Sequence, residues 1–121
     1  MSLASAGEPR LVGAWRLQAL DNADEGGRVG QADGLIMYDV GGTMSAQIIS
    51  PASGGRAREH HAYFGTYSVD KAASTVTHHR VANTSVSAPA DVVRQYDFES
   101  DDVLMLFPEG HPAVRLTFRR T

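Results

Sequence analysis

Apolar residues in this chain come in short runs that alternate with polar ones, and no segment shows the three-to-four spacing of an amphipathic helix. The last run is the plainest: Val114, Leu116 and Phe118 alternate with Arg115, Thr117 and Arg119. Side chains on a strand alternate faces with period two, so the apolar set of this run faces inward. Read in the same way, the chain carries eight strands: Leu11 to Leu20, Leu35 to Val40, Thr43 to Ile49, Ala62 to Val69, Thr75 to Ala82, Val92 to Phe98, Val103 to Phe107 and Val114 to Arg119.

Turn chemistry separates the runs. Asp39-Val40-Gly41-Gly42 predicts a hairpin, and Asp21 to Gly27 and Pro51 to Arg58 read as polar loops. Residues 1–10 read as a flexible lead-in ended by Pro9, and 11–121 as one domain. Eight antiparallel strands on short links predict an all-β, up-and-down barrel, because closure removes both exposed sheet edges. Such a barrel is just wide enough to be filled by its own side chains or to hold one small ligand.

The faces decide which side chains meet inside. Val92, Arg94, Tyr96 and Phe98 form the inward set of the sixth strand, which carries Arg94 into the barrel. Tyr63, Gly65, Tyr67 and Val69 form that of the fourth. On the fifth, leaving Arg80 in water favours His79 over His78 as the inward histidine. Periodicity leaves open Leu35/Met37 against Ile36/Tyr38, and Met44/Ala46/Ile48 against Ser45/Gln47/Ile49.

Composition narrows the partners. The 121 residues are 42% hydrophobic with a formal net charge of -3, and Lys71 is the lone lysine. Scattered arginines and a negative balance argue against nucleic acid, whose binders mass basic residues to displace counterions. Without cysteine there is neither a disulfide nor a thiolate metal site. No apolar run has the length of a signal peptide core or a membrane helix, so a cytoplasmic protein is expected.

An inward guanidinium needs a partner, and its fork suits a carboxylate, enolate or carbonyl oxygen, so Arg94 heads the candidate ligand contacts. His79, Tyr67, Tyr63, Tyr96 and Gln47 join it. The histidine offers a group that titrates near neutrality, and the tyrosines offer apolar bodies with polar tips. Neighbouring histidines on a strand point to opposite faces, so neither His60-His61 nor His78-His79 makes a metal pair; no metal or cofactor is predicted. Gly26-Gly27-Arg28-Val29-Gly30 is glycine-rich, but it lies in a loop with no helix after it, which leaves a nucleotide site unsupported.

Two groups of residues resemble known proteins. Gly13-Ala14-Trp15 opens the first strand with the Gly-x-Trp of lipocalins. That resemblance implies a Trp closing the barrel floor under an Arg of the last strand, here Arg119 or Arg120. Gly34 to Tyr38, Gly42 to Gln47, Tyr63 to Tyr67, Thr75 to His79 and Val93 to Tyr96, in that order, resemble the lipocalin-like domain family of small bacterial and fungal proteins, over Leu11 to Arg119. The family's Pro-Asn-Trp-x-Gly stretch is replaced here by Asn83 to Ala90, which has neither Trp nor Gly.

The resemblance implies a calycin-type barrel with a central cavity. The leading expectation is therefore binding of a small hydrophobic or amphipathic metabolite inside it. The alternatives are an isomerase, cyclase or hydratase using an interior His with Arg and Tyr, and a filled barrel whose outer face binds a partner or a second copy in a homodimer.

Overall fold

A computed structural model of the protein describes residues 7–30, 32–50, 59–84 and 90–121. The strands are β1 (Gly13–Asn22), β2 (Gly27–Val29), β3 (Asp33–Tyr38), β4 (Thr43–Ser50), β5 (Glu59–Asp70), β6 (Thr75–Asn83), β7 (Asp91–Ser100), β8 (Val103–Pro108) and β9 (Val114–Arg120). All neighbours are antiparallel, and β9 returns to pair with β1, Leu17 opposite Phe118 and Asn22 opposite Val114. β2 and β3 lie along the same edge of β1: β3 pairs with Gly13–Arg16 and β2 with Leu20–Asn22. They make one interrupted stave, so the nine strands form a closed barrel of eight.

The Asp39–Gly42 hairpin forms where its sequence placed it. Asp39 N–H donates to Thr43 O at 2.8 Å, the Asp39 carboxylate accepts from Gly41 N–H, and Gly42 takes a positive φ of 99° that a side chain would oppose.

Several boundaries differ from expectation, β3 (Asp33–Tyr38) and β7 (Asp91–Ser100) among them, and three of the differences bear on the ends of the barrel. The first strand begins at Gly13, because Pro9 starts a short 3-10 turn (Pro9–Leu11) in which its missing N–H costs nothing. The polar stretch after Leu20 is not all loop, since Asp21 and Asn22 remain in β1 and Gly27–Val29 pairs with it as β2. β5 begins at Glu59. Residues 1–6 of the lead-in, the loop read at 51–58, and 85–89 of the stretch that departs from the lipocalin-like pattern lie outside the described residues.

One end of the barrel is closed by packing. Leu11, Trp15, Leu104 and Phe118 are all 0% exposed there. The Trp15 indole N–H donates to Leu11 O at 2.8 Å, tying the 3-10 turn to the floor. Arg120, rather than Arg119, lays its guanidinium 4.2 Å from the Trp15 ring centroid and donates to Val12 O (2.7 Å) and Arg10 O (2.9 Å). Gly13 has φ +131°, and a Cβ there would lie 2.8 Å from Arg120 Nη1. The Gly-x-Trp spacing thus clears the path by which Arg120 reaches the ring.

Toward the other end the inward side chains lose burial. Ile48, Tyr63, Arg80, Val92, Arg94 and Leu116 are only partly covered. Among the described residues the barrel is therefore closed at the Trp15 floor, while the inward side chains of the opposite end are less covered and include Arg80 and Arg94.

Candidate functional site

The faces left open by periodicity resolve cleanly. Ile36 and Tyr38 point inward from β3, and Met44 and Ala46 from β4, all at most 3% exposed. Ser45 and Gln47 therefore face out. Gln47 lines a shallow outer groove of about 330 Å3 with Ser45, Ala62, Phe64 and Ala82, so it is not an interior contact.

The histidine assignment on β6 is corrected: His78 is inside at 0% exposure and His79 is outside. It rested on keeping Arg80 in water, and β6 does not do so. Tyr67 pairs with His78 and Gly65 with Arg80, and a bulge at Phe64/Gly65 absorbs Val81, which is 72% exposed. Any Cβ on Gly65 would fall onto the His79 carbonyl oxygen, so only glycine lets β6 press this close. Arg80 then extends inward with its guanidinium 5.2 Å from the Tyr63 ring centroid, where the ring face favours a cation.

Around His78 a chain of hydrogen bonds forms across three strands. Its Nε2 lies 2.6 Å from the Tyr38 hydroxyl of β3, and its Nδ1 lies 2.8 Å from the Tyr63 hydroxyl of β5. Burial, together with the charges of Arg94 and Arg80, holds the imidazole down to about 3, so it is neutral at physiological pH. A neutral imidazole has one donor and one acceptor nitrogen. Burial raises the Tyr38 hydroxyl well above its ordinary value, so it keeps its proton.

Among the described residues His78 is the one hydrogen-bond partner of that hydroxyl, so Tyr38 donates to Nε2. Nδ1–H must then donate to Tyr63. Arg94 adjoins the same Tyr63 oxygen, and its charge works against the upward push of burial on that phenol. With its oxygen already accepting, Tyr63 has its own O–H left to give to a further acceptor.

The end opposite the floor therefore presents the Tyr63 O–H and the Arg94 guanidinium as donors, with the charge of Arg80 beside them. Among the described residues no carboxylate lies within ion-pair distance of Arg94; its guanidinium reaches the Tyr63 hydroxyl and its neighbour's carbonyl, Val93 O, at 3.5 Å.

Of the predicted site residues, the structure brings together Arg94 and Tyr63. Tyr67 and Tyr96 are inside but toward the floor. The Tyr67 hydroxyl donates to Asp39 O at 2.8 Å and that of Tyr96 to Glu8 Oε2 at 3.3 Å. Sequence reasoning missed Tyr38, His78 and Arg80 as members of one cluster. The alternation on β6 carried a signal for two of them, since Val76, His78 and Arg80 share a face.

A second arrangement lies on the outer surface. Ser68 Oγ is 2.8 Å from His79 Nε2, and His79 Nδ1 is 3.2 Å from Asp91 Oδ1, the order found in serine hydrolases. His79 and Asp91 are 39% and 62% exposed, so water screens their interaction. This trio serves as outer-face hydrogen bonding between strands.

Among the described residues no three His, Asp or Glu side chains gather as a metal group, and no helix is long and apolar enough to cross a membrane. Fold and site together define a closed, eight-stranded antiparallel barrel with tyrosine, histidine and arginine side chains clustered inside it. No family model matches the chain, and no curated protein matches it either.

Proposed function

We propose that the protein binds a small amphipathic molecule through an oxyanionic or carbonyl group held at the end of the barrel opposite the Trp15 floor. The observation that carries this is the convergence of the Tyr63 O–H and Arg94 on the interior side of β5 and β7, beside His78 of β6. A donor-lined site rejects alcohols and amides that must donate, and favours groups that only accept. A carboxylate fits best, because it answers a guanidinium with two parallel hydrogen bonds. The apolar body of the ligand lies against Ile48, Val92 and Leu116, the partly covered side chains of that end.

Membership in the lipocalin-like domain family suits this function. It is supported by the order of segments from Leu11 to Arg119 and by the Gly13, Trp15 and Arg120 floor.

The test is calorimetric titration with decanoate and with methyl decanoate, on the wild type and on Arg94→Leu. Decanoate should bind at one per barrel. Its ester and the variant should each bind at least about tenfold more weakly, the equivalent of one charge-assisted interaction. Equal affinity for acid and ester, or an unaltered affinity in Arg94→Leu, would sink the proposal. Native mass spectrometry of protein from its own host would then identify the resident molecule.

A further inference from the structure

We infer that the same end of the barrel is a tautomerase site, in which Tyr63 delivers its proton to the carbon of an enolate whose carboxylate sits on Arg94. The inference rests on the oxyanion-binding function proposed above. The substrate class is the enol of a 2-keto acid bearing an apolar group.

The geometry gives Tyr63 an unusual set of neighbours. Its oxygen lies 2.8 Å from His78 Nδ1, and the Arg94 guanidinium adjoins it. If Tyr63 loses its proton, the resulting phenolate is met by an N–H and a positive charge that were in place beforehand, which is how preorganised sites lower a barrier. Tyr38, 2.6 Å from Nε2, holds the imidazole from behind and gives its acceptor nitrogen a proton to bind. Tyr63 is only partly buried, whereas His78 is 0% exposed, so Tyr63 touches substrate and His78 acts through it. His78 and Tyr38 are positioning residues.

The step balances without an oxidant or reductant. The enol enters as its enolate, having given its O–H proton to water. The enolate oxygen lone pair forms the C=O bond, and the C=C pair takes the proton from Tyr63 Oη as a new C–H bond. The O–H electrons stay on Tyr63 as phenolate, which regains a proton from water. Enol has become ketone, and no other atom is gained or lost.

The experiment follows the enol form of phenylpyruvate by ultraviolet absorbance as it decays to the ketone, with binding of the same compound measured separately by competition against decanoate. Wild-type protein should accelerate the decay catalytically. Tyr63→Phe should bind phenylpyruvate within a few-fold of wild type yet lose about a hundredfold in kcat. His78→Gln, which keeps a donor and an acceptor, should lower kcat with little change in KM, and Tyr38→Phe should do the same.

Binding without acceleration in the wild type would overturn the tautomerase and leave the binding function standing. Full activity in Tyr63→Phe would likewise overturn it. Failure of both phenylpyruvate and decanoate to bind would remove the binding function, and the inference with it. Should Tyr63→Phe not fold, the His78→Gln split between kcat and KM decides, and unchanged kcat in that variant counts against the inference.

Discussion

Tyr96 of β7 donates its hydroxyl to the Glu8 carboxylate, 3.3 Å away and 88 residues earlier in the chain. Glu8 is 5% exposed and Tyr96 8%, so this contact is part of the closed end of the barrel. Glu8 also accepts from Arg10 N–H, and its carbonyl accepts from Leu11 N–H at 3.1 Å, which starts the turn that seats Leu11 under Trp15. The segment preceding β1 therefore carries structural weight. Glu8→Ala strands a buried hydroxyl and should cost about 1–3 kcal/mol, the penalty for an unpaired buried polar group. Glu8→Gln keeps the acceptor and should cost less. Urea denaturation midpoints of the two variants compare them directly, and equal midpoints would show that the Tyr96 contact contributes nothing.

The floor itself predicts a larger effect. Trp15 is 0% exposed, tilted against Phe98 at 6.2 Å and capped by Arg120. Trp15→Ala should destabilise by about 3–5 kcal/mol, because it empties a fully buried site between Phe98, the Leu11 turn and Arg120. Arg120→Met should also destabilise, since it releases the Val12 and Arg10 carbonyls as well as the ring. The same denaturation series measures both, and a Trp15→Ala loss below about 1 kcal/mol would contradict the packing described.

His78 sets a pH dependence with a definite sign. Its folded-state value is held to about 3, below the ordinary 6.5, first by burial and then by Arg94, Arg80 and His79. Protons therefore bind the unfolded chain more readily. The stability tied to neutral His78 is fully present above about pH 6.5 and is lost as pH falls toward 3, by up to about 1.4 kcal/mol per pH unit. Asp33, held down to about 2 first by its hydrogen bond with Arg16, and Asp21, lowered chiefly by Arg28, respond below the carboxylate range. The window from about pH 4.5 to 6.5 thus isolates the histidine from them. Denaturation midpoints through that window should slope upward with pH in the wild type and flatten in His78→Gln. Parallel slopes would mean that His78 charges freely in the folded protein.

How far the chain announces this arrangement depends on the length of the period being read. Alternation over β5, β7 and β9 puts Tyr63, Arg94 and Phe118 inside, since each of these strands has one apolar and one polar face. The turn at Asp39–Gly42 and the Gly-x-Trp at Gly13 are equally legible, because each is a local steric demand. β6 is not legible in this way. Its two faces are Val76, His78 and Arg80 against Thr77, His79 and Val81, and the choice turns on whether Arg80 can be buried. That depends on Gly65 and on the Tyr63 ring, both on another strand. Gln47 fails for a similar reason: Met44, Ala46 and Ile48 beat Ser45, Gln47 and Ile49 only once Ile36 and Tyr38 across the ladder are known to face in. The Tyr38–His78–Tyr63 chain joins residues 40 and 15 positions apart, and no local pattern encodes it.

Arg94 and Arg80 charge the interior side of the barrel, so the ligand-free protein should carry a stability cost that exists for binding. Two cations facing one neutral imidazole repel each other and hold His78 below its ordinary range. Replacing a buried charge by an apolar side chain of similar length is often neutral or stabilising. Arg94→Met should therefore leave the barrel folded and raise the stability of the ligand-free protein, by about 1 kcal/mol at most because Arg94 is only partly buried. It should also lift the His78 value toward the ordinary one, since the charge of Arg94 is the second cause of its depression. The pH slope below 6.5 then becomes shallower, while decanoate affinity falls at least about tenfold. Thermal unfolding of variant and wild type, with and without decanoate, separates the effects. A variant that is more stable when empty and gains nothing from decanoate identifies Arg94 as a ligand contact. A variant that unfolds shows instead that the guanidinium is a structural partner of Tyr63.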